Sequence, residues 1–578
     1  MRLLFCLTIL LAASRSAGAD EIQLRVDCRT SAAPVHNFWH TFGFSPIYDL
    51  FRNPYHVYMA YAGSVPHQGL THVRMHRIVN IIGVEWQDAE PRFDWERLDA
   101  ATDLLRRYGL HHHFEFDLKG KGRGAPKIKE ASREAAARHR AMARGIATHA
   151  VERYGHDTVA SWWWETPNEG QFPWNDAGVV FWDATVQGLA DVDPAFARRF
   201  GGPAALYRND PLDFIKKLEA SENNLTGERQ HQVGFVSHHI KKGATEQVDS
   251  EIGHIERLRE AFPRYAEIPF VNTEHDPWNG WGKDHDWAYG PRAASWMANA
   301  IAQQQQRIIE DLGQPYFCST DNGFLGRSHE WTKRTQMVLI GHDDKGFALI
   351  KKPAHTVFTM LALLGDRRLP VAGAPPLREG IGVLATAHGE NREQIALLCY
   401  NDTRADTALA IRLDGHGSQE RMLAHLRLDA THGNPYRIWH EAEGLPSPET
   451  LQAMRAEMEL PYLTEPQVYD GGPLRFDLPA DSVSLVLLST RPERPPGEVD
   501  GLQVVEMPGL HGPEHLLFWT GLACRTLRGY EVLASVDGGP YQRINQADLL
   551  CTAFMWPKPA GQVRYRVRAI DFWGRTGE

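Results

Sequence analysis

The chain has 578 residues, of which 43% are hydrophobic and 23% charged, and its formal net charge is −10. This length exceeds one ordinary domain, so a soluble globular protein of two or three domains is expected. The negative balance argues against a nucleic-acid partner, because proteins that hold phosphates present a basic surface.

Residues 1–19 have the composition of an export signal. Arg2 supplies a positive charge, residues 3–13 are almost entirely apolar, and Ala17, Gly18 and Ala19 fit a small-residue cleavage site. The apolar run is too short to span a membrane, and no later run reaches about 18 apolar residues. The sequence therefore predicts an exported, soluble chain with no membrane partner. Its destination would be the lysosomal lumen in a eukaryote, and the periplasm or the medium in a bacterium.

Residues 20–365 alternate between short apolar runs and amphipathic stretches. Eight runs are predicted to be strands: 38–44, 71–78, 111–118, 160–164, 198–203, 232–239, 268–274 and 315–321. Helical periodicity lies between them, for example in 95–108, 130–154, 249–262 and 293–312. Eight such units predict the α/β class and a parallel (β/α)₈ TIM barrel, whose chemistry lies at the carboxyl ends of the strands.

The pattern changes at residue 366. Alternation with a period of two predicts a β-sandwich over residues 366–496, with strands at 395–400, 408–413, 422–428 and 482–489. After a Pro-rich hinge, residues 497–578 are predicted to form a fibronectin type III-like β module. Cys524 and Cys551 in this module either pair in an oxidising compartment or stay free. The cysteines have no metal-ligand spacing, so no zinc site is predicted.

Two carboxylates close predicted barrel strands. Glu169 follows Asn168 shortly after the run 160–164, and Glu274 ends the run 268–274. Either residue alone would more often be a solvated surface group, but their joint placement on barrel strand ends favours function. Glycoside hydrolysis needs a proton donor and a second carboxylate that face the anomeric carbon. The pair therefore predicts a glycosidase.

Several motifs, in chain order, carry a resemblance to a known family. They are Val73-Arg74-Met75-His76, Asn168-Glu169, Lys241-Lys242-Gly243, the Glu274 segment, Ser319-Thr320-Asp321-Asn322 and Lys351-Lys352-Pro353. Together with the domain order, they make most of residues 35–578 resemble the α-L-iduronidases of glycoside hydrolase family 39. The resemblance implies a retaining exo-glycosidase without a cofactor. Its expected partners are glycosaminoglycan oligosaccharides, since it would remove terminal unsulfated α-L-iduronate from dermatan and heparan sulfate.

The resemblance also implies roles for individual residues. Glu169 would be the general acid/base and Glu274 the nucleophile, so we expect a raised pKa for Glu169 and an ionised Glu274. The lysine that would bind the uronate carboxylate can be assigned in two ways: counting forward from His239 gives Lys241, and counting back from Gly243 gives Lys242. We adopt Lys241. The substrate-binding residues would be His76, Asn168 and His239 for the sugar, Lys241 and Arg334 for the uronate carboxylate, and Gly280, Trp281 and Asp321 for the rest of the pocket.

Two alternatives remain open from the sequence. A β-xylosidase of the same family would have the same barrel and both Glu residues, but it would not need Lys241 and Arg334 to bind a substrate carboxylate. An inactive carbohydrate-binding protein would not need either Glu. Where the family has Pro-Asp-His after Asn-Glu, this chain has Gly170, Gln171 and Phe172. The effect of this departure on substrate preference is left open by the sequence, as are the host, the tolerated sulfation and the oligomeric state.

Overall fold

The computed structural model describes residues 21–87, 90–117, 128–206, 208–278, 280, 283–321, 330–342, 345–440 and 444–577. A closed barrel of eight parallel strands forms its centre, and neighbours in the barrel are neighbours in the chain. Numbered in chain order, the barrel strands are β1 Thr41–Phe44, β2 His72–Met75, β3 His111–Glu115, β4 Trp163–Glu165, β5 Phe200–Ala205, β6 Phe235–His238, β7 Phe270–His275 and β8 Tyr316–Thr320. Each overlaps a predicted run, and the predicted TIM barrel is confirmed.

Helices surround the barrel. The longer ones are Asn53–Gly63, Glu96–Arg107, Arg133–Tyr154, Asp176–Ala190, Pro211–Ala220, Ala244–Ala261, Arg292–Gln303 and Pro353–Ala362. Side-chain caps begin several of them. Asn175, for example, accepts hydrogen bonds from the backbone N–H groups of Ala177 and Gly178. The helix Arg292–Gln303 continues as a π-helical segment, Gln304–Asp311.

The barrel interior contains an aromatic layer as well as polar side chains. Trp163 on β4, Phe235 on β6 and Phe317 on β8 contact one another across the barrel, with ring centroids 4.6–5.8 Å apart.

The strand ends carry polar side chains on the inner side. Phe114 and Trp164 lie on the outer side, where their rings pack 5.3 Å apart. Alternation puts Glu115 and Glu165, the last residues of β3 and β4, on the opposite, inner side. Gly202 on β5 is required by space, because a Cβ there would lie 2.4 Å from the Thr166 hydroxyl.

Two sheets form the sandwich. One contains Ala33–Pro34, Arg367–Arg368, Ile381–His388, Gln394–Asn401, Arg421–Leu428, Tyr462–Val468 and Ser482–Thr490. The other contains Glu21–Asp27, Val371–Ala372, Thr407–Asp414 and Leu474–Leu478. A helix, Pro448–Glu457, lies in the chain between the strands Arg421–Leu428 and Tyr462–Val468. The sandwich after the barrel is thereby confirmed, but its first strand comes from the start of the described chain.

A second pair of sheets forms the C-terminal module. A five-stranded sheet contains Met337–His342, Gly346–Lys351, Gln503–Gly509, Gly512–Phe518 and Ala553–Pro557, and a three-stranded sheet contains Leu527–Val536, Gln542–Arg543 and Val563–Asp571. A separate hairpin, Gly83–Gln87 with Glu90–Asp94, lies beside the barrel. The fibronectin type III likeness and the exact domain limits stay predictions.

Three further sequence predictions meet the structure here. The proposed export signal lies outside the described residues. No helix within the described ranges is long and apolar enough to cross a membrane. Cys524 and Cys551 are both free thiols. Cys551 is buried against the Thr359 hydroxyl, 3.4 Å away, so the pairing that the sequence left open is not formed.

Candidate active site

The two carboxylates meet at the carboxyl end of the barrel. Glu274 is the fifth residue of β7, and Glu169 lies four residues beyond the last residue of β4, Glu165, at the start of a short 3₁₀ turn. One carboxylate oxygen of each residue lies within 4.8 Å of the other. His239, just after β6, stands between them, with Nδ1 3.0 Å from Glu169 Oε1 and 3.5 Å from Glu274 Oε2. The sequence-predicted pair is brought together.

Glu274 is buried and surrounded by cationic groups. Lys241 Nζ donates to Oε2, and Arg74 Nη1 donates to Oε1 at 3.4 Å. His76 Nε2 lies 3.5 Å from Oε1. Burial alone would raise the pKa of Glu274, but these groups and His239 hold it well below its usual range. Glu274 is therefore ionised, as a nucleophile must be.

Glu169 departs from the expected protonation. Burial is the largest effect and pushes its pKa upward, but the hydrogen bond with His239 and the charges of His239 and Lys241 together outweigh it, and the net pKa is lowered. The expectation of a raised pKa was wrong for the site without substrate. Glu169 also has a backbone φ of +47°, a left-handed conformation that costs a non-glycine residue roughly 1–3 kcal/mol and that clusters at active sites.

Lys241 and Arg334 form a cationic edge beside Glu274. Both contact the same oxygen of Asp321, Oδ2, at 2.9 Å from Lys241 Nζ and 2.7 Å from Arg334 Nη2. Arg334 Nε also lies 3.2 Å from Asp276 Oδ2. Lys242, the alternative lysine, instead donates to the Ser250 hydroxyl at the protein surface, 2.9 Å away. The structure places Lys241, and not Lys242, at the site.

His76 and Asn168 complete the inner wall. His76 Nδ1 lies 2.8 Å from Glu115 Oε2, and Asn168 Oδ1 accepts from Arg74 at 3.0 Å. Burial would lower the pKa of His76, but the carboxylates of Glu115 and Glu274 raise it to about 10. The imidazole is thus cationic and donates toward both carboxylates.

The loop after β7 supplies the remaining predicted residues. Gly280 has φ +83°, and the Lys283 side chain packs 3.0 Å from where a Cβ would lie, so glycine is required there. Trp281 lies outside the described residues. Trp278 packs against His285 and Trp287, with ring centroids 4.8 and 4.4 Å away, and belongs to the rim.

Sequence reasoning missed the floor of the site. Arg74 on β2 is fully buried and donates to Glu115 at 2.5 Å and to Glu165 at 2.6 Å. Asp276, directly after β7, is also fully buried, and burial raises its pKa well above the usual range. The available signal was a charged residue within or just after an apolar strand run. Such residues point into a barrel whose other face is apolar.

Metal binding is a poor match to these side chains. Three groups bring ligand-type atoms within 4.8 Å of one another: His76, Glu274 and Asp321; His76, Glu115 and Asp117; and Glu169, His239 and Glu274. In the first two, His76 would have to lose a proton that its raised pKa of about 10 retains. In the third, Lys241 and Arg74 already occupy Glu274. The expectation of a metal-free site stays a prediction.

The arrangement can perform acid-base and nucleophilic chemistry on a sugar that carries a negative charge. An ionised, buried carboxylate faces a second carboxyl that is 30% exposed and can exchange protons. Two buried cations stand beside them and can pair with a ligand anion through charge-assisted hydrogen bonds.

Comparisons with known proteins agree with this chemistry. A family model described as glycosyl hydrolases family 39 matches residues 22–469, and one described as the alpha-L-iduronidase C-terminal domain matches residues 514–578. Alpha-L-iduronidase of Canis lupus familiaris is 29% identical, across 99% of this chain and 94% of its own length. The Homo sapiens alpha-L-iduronidase is 28% identical, across 100% and 95%.

Solved structures give the same picture. The bacterial orthologue of human α-L-iduronidase matches with a TM-score of 0.87 at 27% identity, across 96% of this chain and 98% of that one. A monomeric beta-xylosidase from Caulobacter crescentus CB15 matches with a TM-score of 0.62 at 17% identity, across 81% and 100%. The second likeness is one of fold alone.

Proposed function

Because the chain belongs to the glycosyl hydrolases of family 39, we propose that it is a retaining exo-α-L-iduronidase. Its substrates would be dermatan and heparan sulfate chains that end in unsulfated α-L-iduronate. Relatives that match almost the whole chain are alpha-L-iduronidases, which supports this choice. Export, with a destination set by the host, is part of the same proposal.

The observation that carries the proposal is the pair of buried cations beside Glu274. Lys241 is 9% exposed and Arg334 2% exposed, and both contact one oxygen of Asp321. A lysine has three N–H donors and an arginine five, so both cations can also donate to the carboxylate of a ligand. A uronate has its carboxylate on C5, next to the ring oxygen, and can therefore reach this edge while its anomeric carbon faces Glu274. A xyloside has no such group.

The proposed reaction has two steps. Glu274 attacks the anomeric carbon while Glu169 gives its proton to the glycosidic oxygen, which leaves with the rest of the chain. Water then attacks the glycosyl ester as Glu169 takes its proton, and the bond to Glu274 breaks. The separation of at most 4.8 Å between carboxylate oxygens supports retention, because inverting enzymes keep their carboxyl groups about 6.5–9.5 Å apart.

The deciding experiment compares an aryl α-L-iduronide with the matching aryl β-D-xyloside. We expect kcat/KM to be at least about 100-fold higher on the iduronide, because the xyloside has no carboxylate to accept charge-assisted hydrogen bonds from Lys241 and Arg334. Proton NMR should show the product first with the substrate's anomeric configuration. Glu274→Ala controls for contaminating glycosidases.

Each other outcome contradicts a named part of the proposal. Preference for the xyloside would make the chain a β-xylosidase. Turnover of neither substrate would favour an inactive carbohydrate-binding protein. An inverted first product would remove the role of Glu274 as nucleophile.

A further inference from the structure

A carboxylate that takes no part in the proposed reaction lies behind β7. Glu251, on the helix Ala244–Ala261, is fully buried. It accepts hydrogen bonds from Asn272 Nδ2 at 2.9 Å, Gln304 Nε2 at 3.0 Å and the Tyr316 hydroxyl at 3.1 Å. No cationic side chain in the described ranges pairs with it, and burial raises its pKa to about 7. A buried carboxyl held only by neutral donors is expensive and needs a reason.

Asn272 connects this carboxyl to the active site. The residue lies on β7, two positions before Glu274. Its Oδ1 accepts from the backbone N–H groups of Glu274 and Ile240, each at 3.3 Å, and its Nδ2 donates to the Ile240 carbonyl at 2.9 Å. Ile240 directly precedes Lys241. One side-chain amide therefore fixes the backbone on which both the nucleophile and its cationic partner stand.

Glu251 helps to hold this amide in place. Its carboxyl oxygen and the Ile240 carbonyl both accept from the NH₂ group of Asn272. The amide oxygen then faces the two backbone N–H groups. Without an acceptor at Glu251, the NH₂ group loses one of these two buried partners and the amide is held less firmly. The backbone of Glu274 would then lose part of its support.

Gln304 braces the same network from the next helix. It is the first residue of the π-helical segment Gln304–Asp311, a type of local distortion that frequently marks functional sites. Besides Glu251, its Nε2 contacts Nε2 of His275 at 3.0 Å. Burial lowers the pKa of His275 to about 3, so the ring is neutral and its Nε2 accepts. The residue after the nucleophile is thereby tied to the same carboxyl.

We propose that Glu251 is a positioning residue that aligns Glu274 and Lys241 through Asn272 and Gln304. The inference rests on the proposed role of Glu274 as nucleophile. The exact placement of Glu274 matters because a displacement of about 1 Å at a reacting group can cost roughly a hundredfold in rate. The network touches no atom of the sugar, so it acts on the chemical steps more than on binding.

The test substitutes Glu251→Gln, which keeps the shape but turns an NH₂ group toward a donor. We expect kcat on the aryl iduronide to fall about tenfold or more, with KM within about twofold. Asp402→Asn is the matched control. Asp402 also accepts from an amide, Asn299 at 3.0 Å, and its pKa is also raised to about 7 by burial, but it lies between the barrel and the sandwich. Its variant should keep the kcat of the parent.

A second readout does not depend on activity. Hydrogen exchange measured by mass spectrometry should show faster exchange in Glu251→Gln for peptides that contain the N–H groups of Ile240 and Glu274. Asp402→Asn should leave those peptides unchanged. If the parent chain hydrolyses neither aryl glycoside, the proposed function fails, while this exchange measurement still decides the positioning role.

Tyr316→Phe provides a variant that is safer for folding, since it removes only one donor to Glu251. It should lower kcat about two- to fivefold and speed exchange at the same two peptides. Unchanged kcat and unchanged local exchange in the folded variants would overturn the inference. So would losses in Asp402→Asn equal to those in Glu251→Gln.

Discussion

Arg334 is the residue whose side chain most directly distinguishes a uronide from a neutral sugar. Arg334→Ala removes one charge-assisted contact, which is typically worth about 1.5–3 kcal/mol. We expect kcat/KM on an aryl iduronide to fall by about one to two orders of magnitude, and any activity on a pentoside to change little.

Lys333→Ala is the matched control for Arg334→Ala. Lys333 is the neighbouring cation, and it pairs with Asp284 at 2.9 Å, away from both catalytic carboxylates. Its removal should leave both activities intact. Parallel losses on the two substrates in Arg334→Ala would show that Arg334 supports the structure instead of reading the carboxylate.

His239 controls the protonation of Glu169 in the free enzyme. Because the rate kcat/KM requires a protonated Glu169, activity falls as the pH rises through its pKa. His239→Phe removes the hydrogen bond that lowers this pKa, so the basic limb of the kcat/KM profile should move to higher pH, with a lower plateau. A pH series on the aryl iduronide measures the limb.

His238→Phe is the control for His239→Phe. His238 is adjacent in sequence but packs against Phe270, with ring centroids 4.5 Å apart, on the other side of β6. Its variant should keep the basic limb of the parent. An unmoved limb in His239→Phe would mean that another group governs the ionisation.

Residue by residue, the sequence predicted what lies at the ends of strands and missed what lies inside the barrel. Glu169, Glu274 and Asp321 follow apolar runs, so their position at the active face could be predicted from periodicity. Arg74 lies within such a run and looks like an interruption of a strand. The lowered pKa of Glu169 could not be predicted either, because it depends on a contact with His239 across the barrel.

At the scale of elements, three strand ends depend on Arg74. Its guanidinium on β2 joins Glu115 on β3 and Glu165 on β4, all three fully buried, and reaches Glu274 on β7. Arg74→Met would leave buried carboxylates without a counter-charge. We expect a loss of about 3–5 kcal/mol in the free energy of unfolding, measured by urea denaturation.

Two further variants identify the cause of that loss. Arg199→Met removes a half-buried arginine that, among the described residues, donates to the carbonyls of Ser161 and Trp162 and pairs with no carboxylate, so it should cost less. Adding Glu165→Gln to Arg74→Met should recover part of the stability, because it removes one unpaired charge. Equal costs for both arginine variants, with no recovery, would show that lost packing is responsible.

The positions of the barrel strands could be predicted from local sequence patterns, but the pairing of strands that are distant in the sequence could not. All eight barrel strands overlap predicted runs because each has its own apolar signal. The strand Glu21–Asp27 pairs with Thr407–Asp414, a contact that no local pattern specifies. The hairpin Met337–His342 with Gly346–Lys351 likewise joins the sheet of the C-terminal module through Phe347 and Gly509. The domain limits themselves stay predictions.

On the scale of the whole molecule, buried ion pairs connect the segment around the sandwich helix with the sheet of the C-terminal module. Lys351, on the hairpin after the barrel, pairs with Glu459 beyond the sandwich helix at 2.8 Å. Arg455 on that helix pairs with Glu514 of the C-terminal module at 2.7 Å. All four side chains are buried. Because a buried charge without its partner is costly, these pairs favour unfolding of the modules together.

Buried histidines set the dependence of whole-molecule stability on pH. Burial lowers the pKa of seven histidines to about 3 or 4: the half-buried His40 and His67 and the buried His112, His139, His275, His355 and His425. Each is neutral when folded but takes up a proton below about pH 6.5 when unfolded, so stability falls as the pH falls from 6.5 toward 3 to 4.

Three carboxyls whose pKa burial raises to about 7 act in the opposite direction: Asp117, Glu251 and Asp402. Their stabilisation is complete below their ordinary pKa and is lost as the pH rises to about 7.

The histidines outnumber the carboxyls between pH 4.5 and 6.5, so Tm should rise across this range and be highest near pH 6.5 to 7. Thermal melts in matched buffers measure this dependence of Tm on pH.

His425 packs against the Phe476 ring at 4.7 Å and has an unpartnered Nε2 among the described residues. His425→Phe should therefore reduce the loss between pH 6.5 and 5 by about 1–2 kcal/mol, since one proton less is taken up on unfolding. His36→Gln, at an exposed position, should follow the parent curve. A Tm that is flat or falling from pH 5 to 6.5 would contradict the dominance of the buried histidines and assign the pH dependence to the carboxyls.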